Sequence, residues 1–393
     1  MYLIEWEKMG KKLILGLVFL NIYIIGFSEP RPLKVLFVVA YFPAPSQMHI
    51  LNMMTGLIDS GHEVSIFALR RNEDLIYLHP DIEKYNLLDH VIYEQFPEEL
   101  PECDIVFCQS ATWGKKIIEM ELLQEWLQNK KLVVCLRGSD ITGNAIKNDP
   151  HIYDELFDKA DLFLPVCDYF KKLMIQLGCD EDKVVVHHSA INCSQFFFKK
   201  RKKIKRKQGD IQLVSVGRLV QKKGLEYAIQ AVAQVAQWYK NIHFTIVGSG
   251  HLRSSLQELV KKLKIENKVT FYGWGTHEQV ADILNKSHIF LLPSITAKNG
   301  DEEGIANALK EAMAMGLISI ATWHAGTPEL IEDEVSGFLV AEKNSDQLAD
   351  KIKYIIRHPK IWKSIGLAAR KKIEAEFEIQ KSVEQLEQLF YQL

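Results

Sequence analysis

The chain contains two copies of one local pattern, and this repetition constrains its fold more than any other feature. In each copy a continuous apolar run is followed by a turn, a helix and a second apolar run. The first copy starts at Lys34 and the second at Gln212. Short continuous apolar runs are typical of parallel strands that helices cover on both faces. We therefore predict an α/β protein with two Rossmann-like, doubly wound parallel sheets.

The order of the runs predicts where the domains begin and end. The length of 393 residues suits two α/β domains rather than one. Residues 33–192 are predicted to form the first domain and residues 211–378 the second, joined by a basic linker at 193–210. Residues 379–393 are predicted to form a last helix that packs back on the first domain. Strands are predicted at Lys34 to Ala40, His62 to Leu69, Asp104 to Cys108, Leu132 to Leu136, Asp161 to Val166, Gln212 to Val216, His243 to Val247, Val269 to Tyr272, Ile289 to Leu292 and Ile318 to Ala321, and helices at Ile50 to Ser60 and Gly224 to Tyr239.

The composition excludes several classes of protein. Hydrophobic residues make up 47% and charged residues 25% of the chain, a balance typical of globular proteins. The net charge of -2 indicates no general attraction to nucleic acid. The six cysteines form no CxxC pair, and most lie in apolar runs, so we interpret them as buried thiols rather than as zinc ligands.

The N-terminal segment, residues 1–32, resembles a secretory signal or a membrane anchor. Lys11 and Lys12 precede an apolar run from Leu13 to Phe27, whose 15 residues fall short of the roughly 20 that span a bilayer as a straight helix. An ordinary amphipathic extension is the alternative interpretation.

The linker is strongly basic, since eight of the nine residues from Lys199 to Lys207 are Lys or Arg. A solvated connection between domains is one interpretation, and attraction to an anionic membrane surface is the other. The absence of interleaved aromatic residues argues against nucleic acid as a partner.

The first candidate site is the turn from Gly217 to Gly224, between a predicted strand and a predicted helix. Ligands of open α/β sheets bind at the carboxyl ends of the strands, and helix N-termini attract anions. Arg218 and Lys223 add two cations, which would suit a diphosphate that gains charge as it leaves. A plain surface turn is the alternative.

The second candidate site contains two carboxylates, Glu303 and Glu311, eight positions apart after another predicted strand. Eight helical steps cover about 12 Å. One carboxylate can therefore approach a sugar while the other holds a ribose. Equally, a glutamate at the start of a helix is common because of the helix dipole alone.

Together these stretches resemble the family-4 retaining glycosyltransferases of the GT-B fold, most closely those of bacterial exopolysaccharide synthesis such as the colanic acid glycosyltransferases. The resemblance extends over about residues 33–392. The stretches that carry it are GRLVQKKGLEYAI (Gly217 to Ile229), VTFYGW (Val269 to Trp274), FLLPSITAKNGDEEGIANALKEAMAMG (Phe290 to Gly316), HAGTPELIEDEVSGFLV (His324 to Val340), HPDIEKYNLL (His79 to Leu88), DLFLPVCDY (Asp161 to Tyr169) and GCDEDKVVVHHSAI (Gly178 to Ile191).

The resemblance implies a role for each matching residue. Arg218 and Lys223 would grip the donor diphosphate, Glu303 would approach the donor sugar, and Glu311 would hold the ribose. The backbone of Gly304, Ile305 and Ala306 would contact sugar and phosphate, and the segment around Gly273 and Trp274 would lie against the base. The resemblance further implies front-face displacement without a covalent nucleophile, a metal or another cofactor.

The first half departs from the family pattern at two places. Many relatives have His-Gly-x-Asp where this chain has Arg137-Gly138-Ser139-Asp140, so Arg137 stands in place of a histidine at the catalytic site, with Asp140 matching. An arginine there can still meet the donor phosphate or the acceptor. The first loop reads Ser46-Gln47-Met48-His49 rather than Ser-Glu-Thr-Phe. His49 has two interpretations, as a catalytic acid or base and as a structural residue. We interpret His187 and His188 as core or linker residues.

The expected function is transfer of a hexose, with retention, from a UDP-sugar or GDP-sugar to a hydroxyl of a glycan or lipid-linked glycan in polysaccharide biosynthesis. The expected location is the cytoplasmic face of a membrane, where nucleotide sugars are available. A sugar-nucleotide epimerase and an inactive two-lobed sugar-binding protein remain as alternatives. A phosphorylase is disfavoured because the chain lacks the sequence context of a cofactor-binding lysine. A nicotinamide dehydrogenase is disfavoured because no GxGxxG follows the first strand.

Overall fold

A computed structural model describes residues 31–44, 47–72, 77–93, 101–199 and 210–393, and residues Lys34–Leu393 form one compact unit. The apolar run at 13–27 and most of the basic linker lie outside the described residues. Within the described ranges, no helix combines the length and the apolar composition needed to cross a bilayer.

The first sheet is parallel throughout and has six strands in the order β3-β2-β1-β4-β5-β6. Its strands are β1 (Lys34–Phe42), β2 (Glu63–Arg71), β3 (Val91–Tyr93), β4 (Ile105–Cys108), β5 (Lys131–Leu136) and β6 (Leu162–Pro165). Its helices are α1 (Met48–Asp59), α2 (Pro80–Lys84), α3 (Ala111–Glu119), α4 (Glu121–Leu127), α5 (Asn144–Asn148), α6 (Asp154–Lys159) and α7 (Asp168–Gln176), with 3-10 turns at Leu87–His90 and Glu181–Lys183.

The second sheet repeats this topology in the order β12-β11-β10-β7-β8-β9, again with parallel neighbours. Its strands are β7 (Ile211–Val216), β8 (Ile242–Val247), β9 (Val269–Gly273), β10 (Ile289–Leu292), β11 (Ile318–Thr322) and β12 (Phe338–Val340). Its helices are α8 (Leu225–Trp238), α9 (Arg253–Lys262), α10 (His277–Lys286), α11 (Asn307–Ala314), α12 (Thr327–Leu330), α13 (Ser345–Arg357) and α14 (Trp362–Glu376), with 3-10 turns at Gln221–Lys223 and Glu266–Lys268.

The apolar strands form the cores of the two sheets, as the sequence predicts. The interior residues of β1 are buried on both faces, and all four residues of β10 are buried. All six cysteines are unpaired and buried, as predicted. Only the two edge strands β3 and β12, each three residues long, were not predicted.

The strand order changes direction at β1 and β4 in the first sheet and at β7 and β10 in the second. The carboxyl ends of strands at such a point diverge into a crevice, where open α/β sheets bind their ligands. The two crevices share one cleft, because residues after β1, β5, β7 and β10 line the same cavity.

The last helix, α15 (Ile379–Tyr391), lies against the first sheet's domain although it follows the second in sequence. His62 Nε2 lies 2.8 Å from Glu387 Oε1 of this helix. Gly56 permits the close contact with α1, because a Cβ atom there would lie only 2.4 Å from Val383 Cγ2. The chain therefore crosses between the two domains a second time at its C-terminal end.

Candidate functional site

A cleft of about 950 Å³ lies between the two domains. Its C-terminal wall is formed by loops that follow β7, β8, β9 and β10. Its N-terminal wall is formed by loops that follow β1, β4 and β5. Most of the predicted site residues line this cleft, namely Arg137, Asp140, Gly217, Arg218, Lys223, Trp274, Glu303, Ile305, Ala306 and Glu311.

Glycine makes the close packing of the C-terminal wall possible. A Cβ atom at Gly248 would lie 1.9 Å from the carbonyl oxygen of Gly217, and one at Gly224 would lie 1.9 Å from that of Pro293. Gly224 also has a φ of 57°, in the left-handed region that favours glycine. These contacts bring the loops after β7, β8 and β10 together at one edge of the sheet.

The two candidate motifs meet in an ion pair on this wall. Lys223 Nζ lies 2.5 Å from Glu303 Oε2, and both side chains are mostly buried. Burial alone would raise the pKa of Glu303, but the charges of Lys223, Lys222 and Arg218 outweigh burial and lower the pKa to about 2. Glu303 is therefore ionised at any physiological pH.

A second ion pair holds the loop that precedes Glu303. Lys222 Nζ lies 2.9 Å from Asp301 Oδ1 and donates to the carbonyl oxygen of Glu302 at 3.1 Å. The 3-10 turn after β7 thus ties down the loop after β10 through two adjacent lysines. Arg218 is exposed at the cleft and is free to meet an incoming anion.

Behind Glu303 lies a chain of hydrogen bonds through His324, which the sequence did not predict. The Glu303 backbone N–H donates to His324 Nε2 at 3.0 Å, so the ring proton sits on Nδ1 and is donated to Glu342 Oε1 at 2.5 Å. The other oxygen of Glu342 accepts the backbone N–H of Thr296 at 3.0 Å. His324 begins the HAGTPELI stretch of the resemblance, but no signal in the sequence singles out the ring.

Two of the predicted glycines do not line the cleft. Gly304 packs on the first domain, where an added Cβ would lie 2.9 Å from both Val166 Cγ2 and Phe170 Cε2. Gly273 ends β9, and its carbonyl oxygen accepts the backbone N–H of Gly248 at 2.7 Å. These glycines shape the wall, whereas their neighbours Ile305 and Trp274 face the cavity.

Glu311 lines the cleft from α11 and is 8% exposed. Burial raises the pKa of its carboxyl to about 7, against the opposing charge of Lys310. A ligand hydroxyl that donates to this group would supply a polar partner for it. Glu303 and Glu311 both line this cavity, but the expected eight helical steps between them are wrong, because the helix begins only at Asn307.

On the N-terminal wall, Asp140 holds a loop in place. Its Oδ1 accepts the backbone N–H groups of Arg137 and Gly138 at 3.1 and 2.9 Å, and its Oδ2 accepts that of Ala111 at 3.2 Å. Burial raises the pKa of this carboxyl, and these backbone donors oppose the shift. The contacts support a positioning role, while the predicted catalytic role stays a prediction.

Arg137 points its guanidinium at neutral groups. Its Nη2 donates to Gln109 Oε1 at 2.8 Å and its Nη1 to Ser189 Oγ at 3.0 Å, while its Nε is buried without an acceptor. His49 Nδ1 lies 3.2 Å from Asn307 Nδ2 and accepts from that amide. Burial, followed by the charges of Arg137 and Lys310, lowers the pKa of His49 well below its usual value, so the ring is neutral.

Lys310 is a second residue that sequence reasoning missed. It lies on α11, is fully buried, and donates to the carbonyl oxygen of Ser189 and to Asn307 Oδ1, the latter at 3.0 Å. Burial and the nearby Arg137 lower its pKa to about 7. In sequence it occupies an apolar helix (ANALKEAMA), where nothing indicates a charge that reaches the other domain.

Contacts on both sides of the cleft hold the two domains together. The Glu329 carboxylate accepts the backbone N–H groups of Asp168 and Tyr169 at 2.9 and 3.2 Å, where it caps α7 of the first domain. Its Oε2 lies 3.5 Å from His188 Nε2. His187 is buried and contacts Ser382 of α15, so both histidines belong to the core and the hinge, as predicted.

Comparisons with known proteins agree with this geometry. A family model described as glycosyl transferases group 1 matches residues 196–372. The putative colanic acid biosynthesis glycosyltransferase WcaL of Salmonella typhimurium is 28% identical, over 91% of this chain and 99% of its own length. The amylovoran biosynthesis glycosyltransferase AmsK of Erwinia amylovora is 29% identical, over 92% of this chain and 100% of its own.

The fold also matches solved structures. The crystal structure of Anabaena Alr3699/HepE in complex with UDP-glucose has a TM-score of 0.74 to this chain at 18% identity, covering 92% of this chain and 100% of its own. A glycosyltransferase from Rickettsia africae has a TM-score of 0.73 at 19% identity, covering 92% of this chain and 99% of its own. With the two parallel sheets facing one cleft, these matches confirm the predicted GT-B fold.

Proposed function

Because the chain carries a glycosyl transferases group 1 domain and is a glycosyltransferase, we propose that it transfers a hexose, with retention, from a UDP-sugar or GDP-sugar to a hydroxyl of a glycan or lipid-linked glycan. The names of its relatives support a place in exopolysaccharide biosynthesis. The UDP-glucose complex of a protein with the same fold supports a nucleotide-sugar donor.

One observation carries the proposal, namely the meeting of Lys223 and Glu303 at 2.5 Å beside Arg218 in the cleft. A diphosphate leaving group gains negative charge as its bond to the sugar breaks, and fixed cations stabilise that charge most in a cleft that excludes water. Arg218 and Lys223 serve this role, and Glu303 faces the sugar. Because these side chains supply the positive charge, we expect transfer to proceed without a metal.

Retention follows in this proposal from a front-face reaction. The bond between the anomeric carbon and the diphosphate oxygen breaks while the acceptor hydroxyl forms its bond on the same face. The acceptor proton passes to the departing diphosphate oxygen. The ionised Glu303 stabilises the positive charge that develops on the sugar.

The test is the stereochemistry of the product. The purified enzyme is incubated with an α-linked donor in EDTA, and proton NMR reports the anomeric configuration of the first product formed. An α-linked product is expected. A β-linked product would contradict retention, and hydrolysis of the donor without transfer to any glycan would contradict the acceptor class.

We further propose that residues 1–32 and the basic linker hold the enzyme at the cytoplasmic face of a membrane. The apolar run at 13–27 and the cationic run from Lys199 to Lys207 support this location. Deletion of residues 1–28 should move the protein from the membrane fraction to the soluble fraction. Unchanged partition would assign the attachment to the linker, and a soluble full-length chain would contradict the proposal.

A further inference from the structure

Two basic side chains on the inner side of the cleft, Arg137 and Lys310, have no acidic partner in the described part of the chain. Arg137 and Lys310 come from different domains and converge on one residue, because Arg137 donates to the Ser189 hydroxyl and Lys310 donates to the Ser189 carbonyl. Their remaining acceptors, Gln109 Oε1 and Asn307 Oδ1, are neutral as well. Among the described residues, neither cation lies within ion-pair distance of a carboxylate.

The acids that line the cleft are engaged elsewhere. Glu303 pairs with Lys223, and the oxygens of Asp140 accept three backbone N–H groups. Burial raises the pKa of Glu311 to about 7 and lowers that of Lys310 to about 7, so neither is fully charged near neutral pH. An anion bound nearby would raise the pKa of Lys310 and complete its protonation. Buried charges in folded proteins are normally paired, and an unpaired one destabilises the native state unless a ligand completes the set.

We propose that Arg137 and Lys310 form an anion-binding subsite, which takes a carboxylate or phosphate group carried by the transferred sugar or by the acceptor. Arg137 lines the cleft and touches the group, while Lys310, buried behind Ser189, acts through its charge. The subsite rests on the proposed transfer function, because the anion belongs to one of its two substrates.

The proposed donor diphosphate has two basic residues of its own. Its cations, Arg218 and Lys223, stand on the C-terminal wall, whereas Arg137 stands on the loop after β5 in the opposite wall. Lys310 follows the Glu303 loop on α11, within electrostatic range of both Glu303 and Arg137. Arg137 and Lys310 thus lie near Glu303, which faces the sugar in the proposed function. The two parallel N–H donors of a guanidinium suit the planar oxygen pair of a carboxylate.

The experiment compares substrates that differ in one group, with the full-length protein in EDTA. In the donor arm, thermal stabilisation is titrated with UDP-glucose against UDP-glucuronate, UDP-galactose against UDP-galacturonate, and GDP-mannose against GDP-mannuronate, with UDP and GDP alone as references. In the acceptor arm, transfer from the preferred neutral donor is measured to methyl glycosides carrying a hydroxyl, a carboxylate or a phosphate at position 6. The variants are Arg137→Gln, Arg137→Lys and Lys310→Met.

The wild type should prefer the acidic member by about tenfold or more in one arm, which identifies the substrate that carries the anion. Arg137→Gln should abolish that preference, Arg137→Lys should keep part of it, and Lys310→Met should reduce it. Affinity for UDP or GDP alone should stay within about twofold in all three. Because Arg137→Gln removes an unpaired charge, its unfolding temperature should not fall.

Two results would overturn the subsite. One is nucleotide binding without an acidic preference in either arm, which leaves the transfer function intact. The other is a loss of affinity for UDP or GDP alone in Arg137→Gln, which would assign Arg137 to the donor diphosphate. Failure of every nucleotide to bind would instead refute the proposed function, and the subsite with it.

Discussion

The two walls of the cleft use charge in opposite ways. On the C-terminal wall each lysine is paired with a carboxylate, Lys223 with Glu303 at 2.5 Å and Lys222 with Asp301 at 2.9 Å. Among the described residues, Arg137 on the N-terminal wall and Lys310, which reaches Ser189 from α11 of the second domain, donate to neutral oxygens. The two paired lysines are thus preorganised before a ligand arrives, whereas Arg137 and Lys310 have no carboxylate within ion-pair distance in the part of the chain that the structure describes. The difference separates the lysines that are already paired from the two basic side chains of the proposed anion subsite.

The largest effect should follow from substitution of either partner of the Lys223–Glu303 ion pair on the C-terminal wall. Lys223→Met and Glu303→Gln should each lower kcat by about 10²–10³-fold, because each removes a charge that stabilises the transition state. Each should also destabilise the fold by about 3 kcal/mol, since the partner is left charged and mostly buried. Steady-state kinetics and urea unfolding measure the two effects.

The double variant Lys223→Met with Glu303→Gln separates chemistry from folding. It should regain most of the lost stability, because no unpaired charge remains, yet it should stay inactive. Lys372→Met, which breaks the exposed pair with Glu376, is the matched control and should change neither property appreciably. Recovery of activity in the double variant would show that the pair is only structural.

A smaller loss of activity is expected from substitution of His324, which accepts the backbone N–H of Glu303. His324→Phe removes the acceptor of the Glu303 N–H and should lower kcat by about 10²-fold through misplacement of the carboxylate. His324→Gln can keep an oxygen near the position of Nε2 and should retain clearly more activity. Equal losses in both variants, at equal thermal stability, would contradict a positioning role.

Glu311 in the middle of α11 offers a test by pH. The Glu311 pKa is about 7 in the folded protein, above its usual value near 4.5, so the folded protein holds the proton more tightly than the unfolded chain. The contribution of Glu311 to stability should therefore fall as pH rises from about 4.5 to 7 and stay low above it, and the difference between wild type and variant separates it from the titration of Lys310. Glu311→Gln should remove this fall and be more stable than the wild type at pH 8 by about 1–3 kcal/mol.

The two proteins should have similar stability below pH 4.5, where Glu311 is protonated in both states. Unfolding of the ligand-free protein across pH 4 to 9 checks this prediction. A wild type and a Glu311→Gln variant with parallel curves would show that burial does not perturb this carboxyl.

The smallest effect concerns the contact that joins the walls. Glu329→Ala removes the acceptor of two backbone N–H groups at the start of α7 and should weaken domain closure by about 1–2 kcal/mol. We expect a donor KM raised severalfold with kcat within about twofold. Glu334→Ala, which only breaks an exposed pair with Lys351, is the control. A large fall in kcat with unchanged KM would argue against a closing contact.

The sequence predicts the C-terminal wall far better than the N-terminal one, and the reason is physical. Arg218, Lys223 and Glu303 lie in the loops that follow buried strands, and parallel strands bring their carboxyl ends to one edge. Lys310 and Ser189 meet from positions 121 residues apart and from different domains, so no local pattern reports their contact. The same holds for His324, whose partners Glu303 and Glu342 are joined to it only by folding.

The strands themselves were predicted to within a few residues because continuous apolar runs mark them. The exceptions, β3 and β12, are three-residue edge strands too short to stand out as apolar runs. Arg137 was recognised as a departure from the family pattern, but its neutral partners could not be foreseen. The glycosyltransferase class and the GT-B fold predicted from the motifs are confirmed.

The most direct test of the C-terminal wall as the donor site is ligand-induced thermal stabilisation of the wild type and of Arg218→Ala, in EDTA, across UDP-sugars and GDP-sugars. A ligand at a hundred times its dissociation constant should add about 2.7 kcal/mol to the stability. We predict such a shift with one nucleotide class, and its loss in Arg218→Ala. No shift with either class, or a shift that needs added divalent metal, would contradict the account.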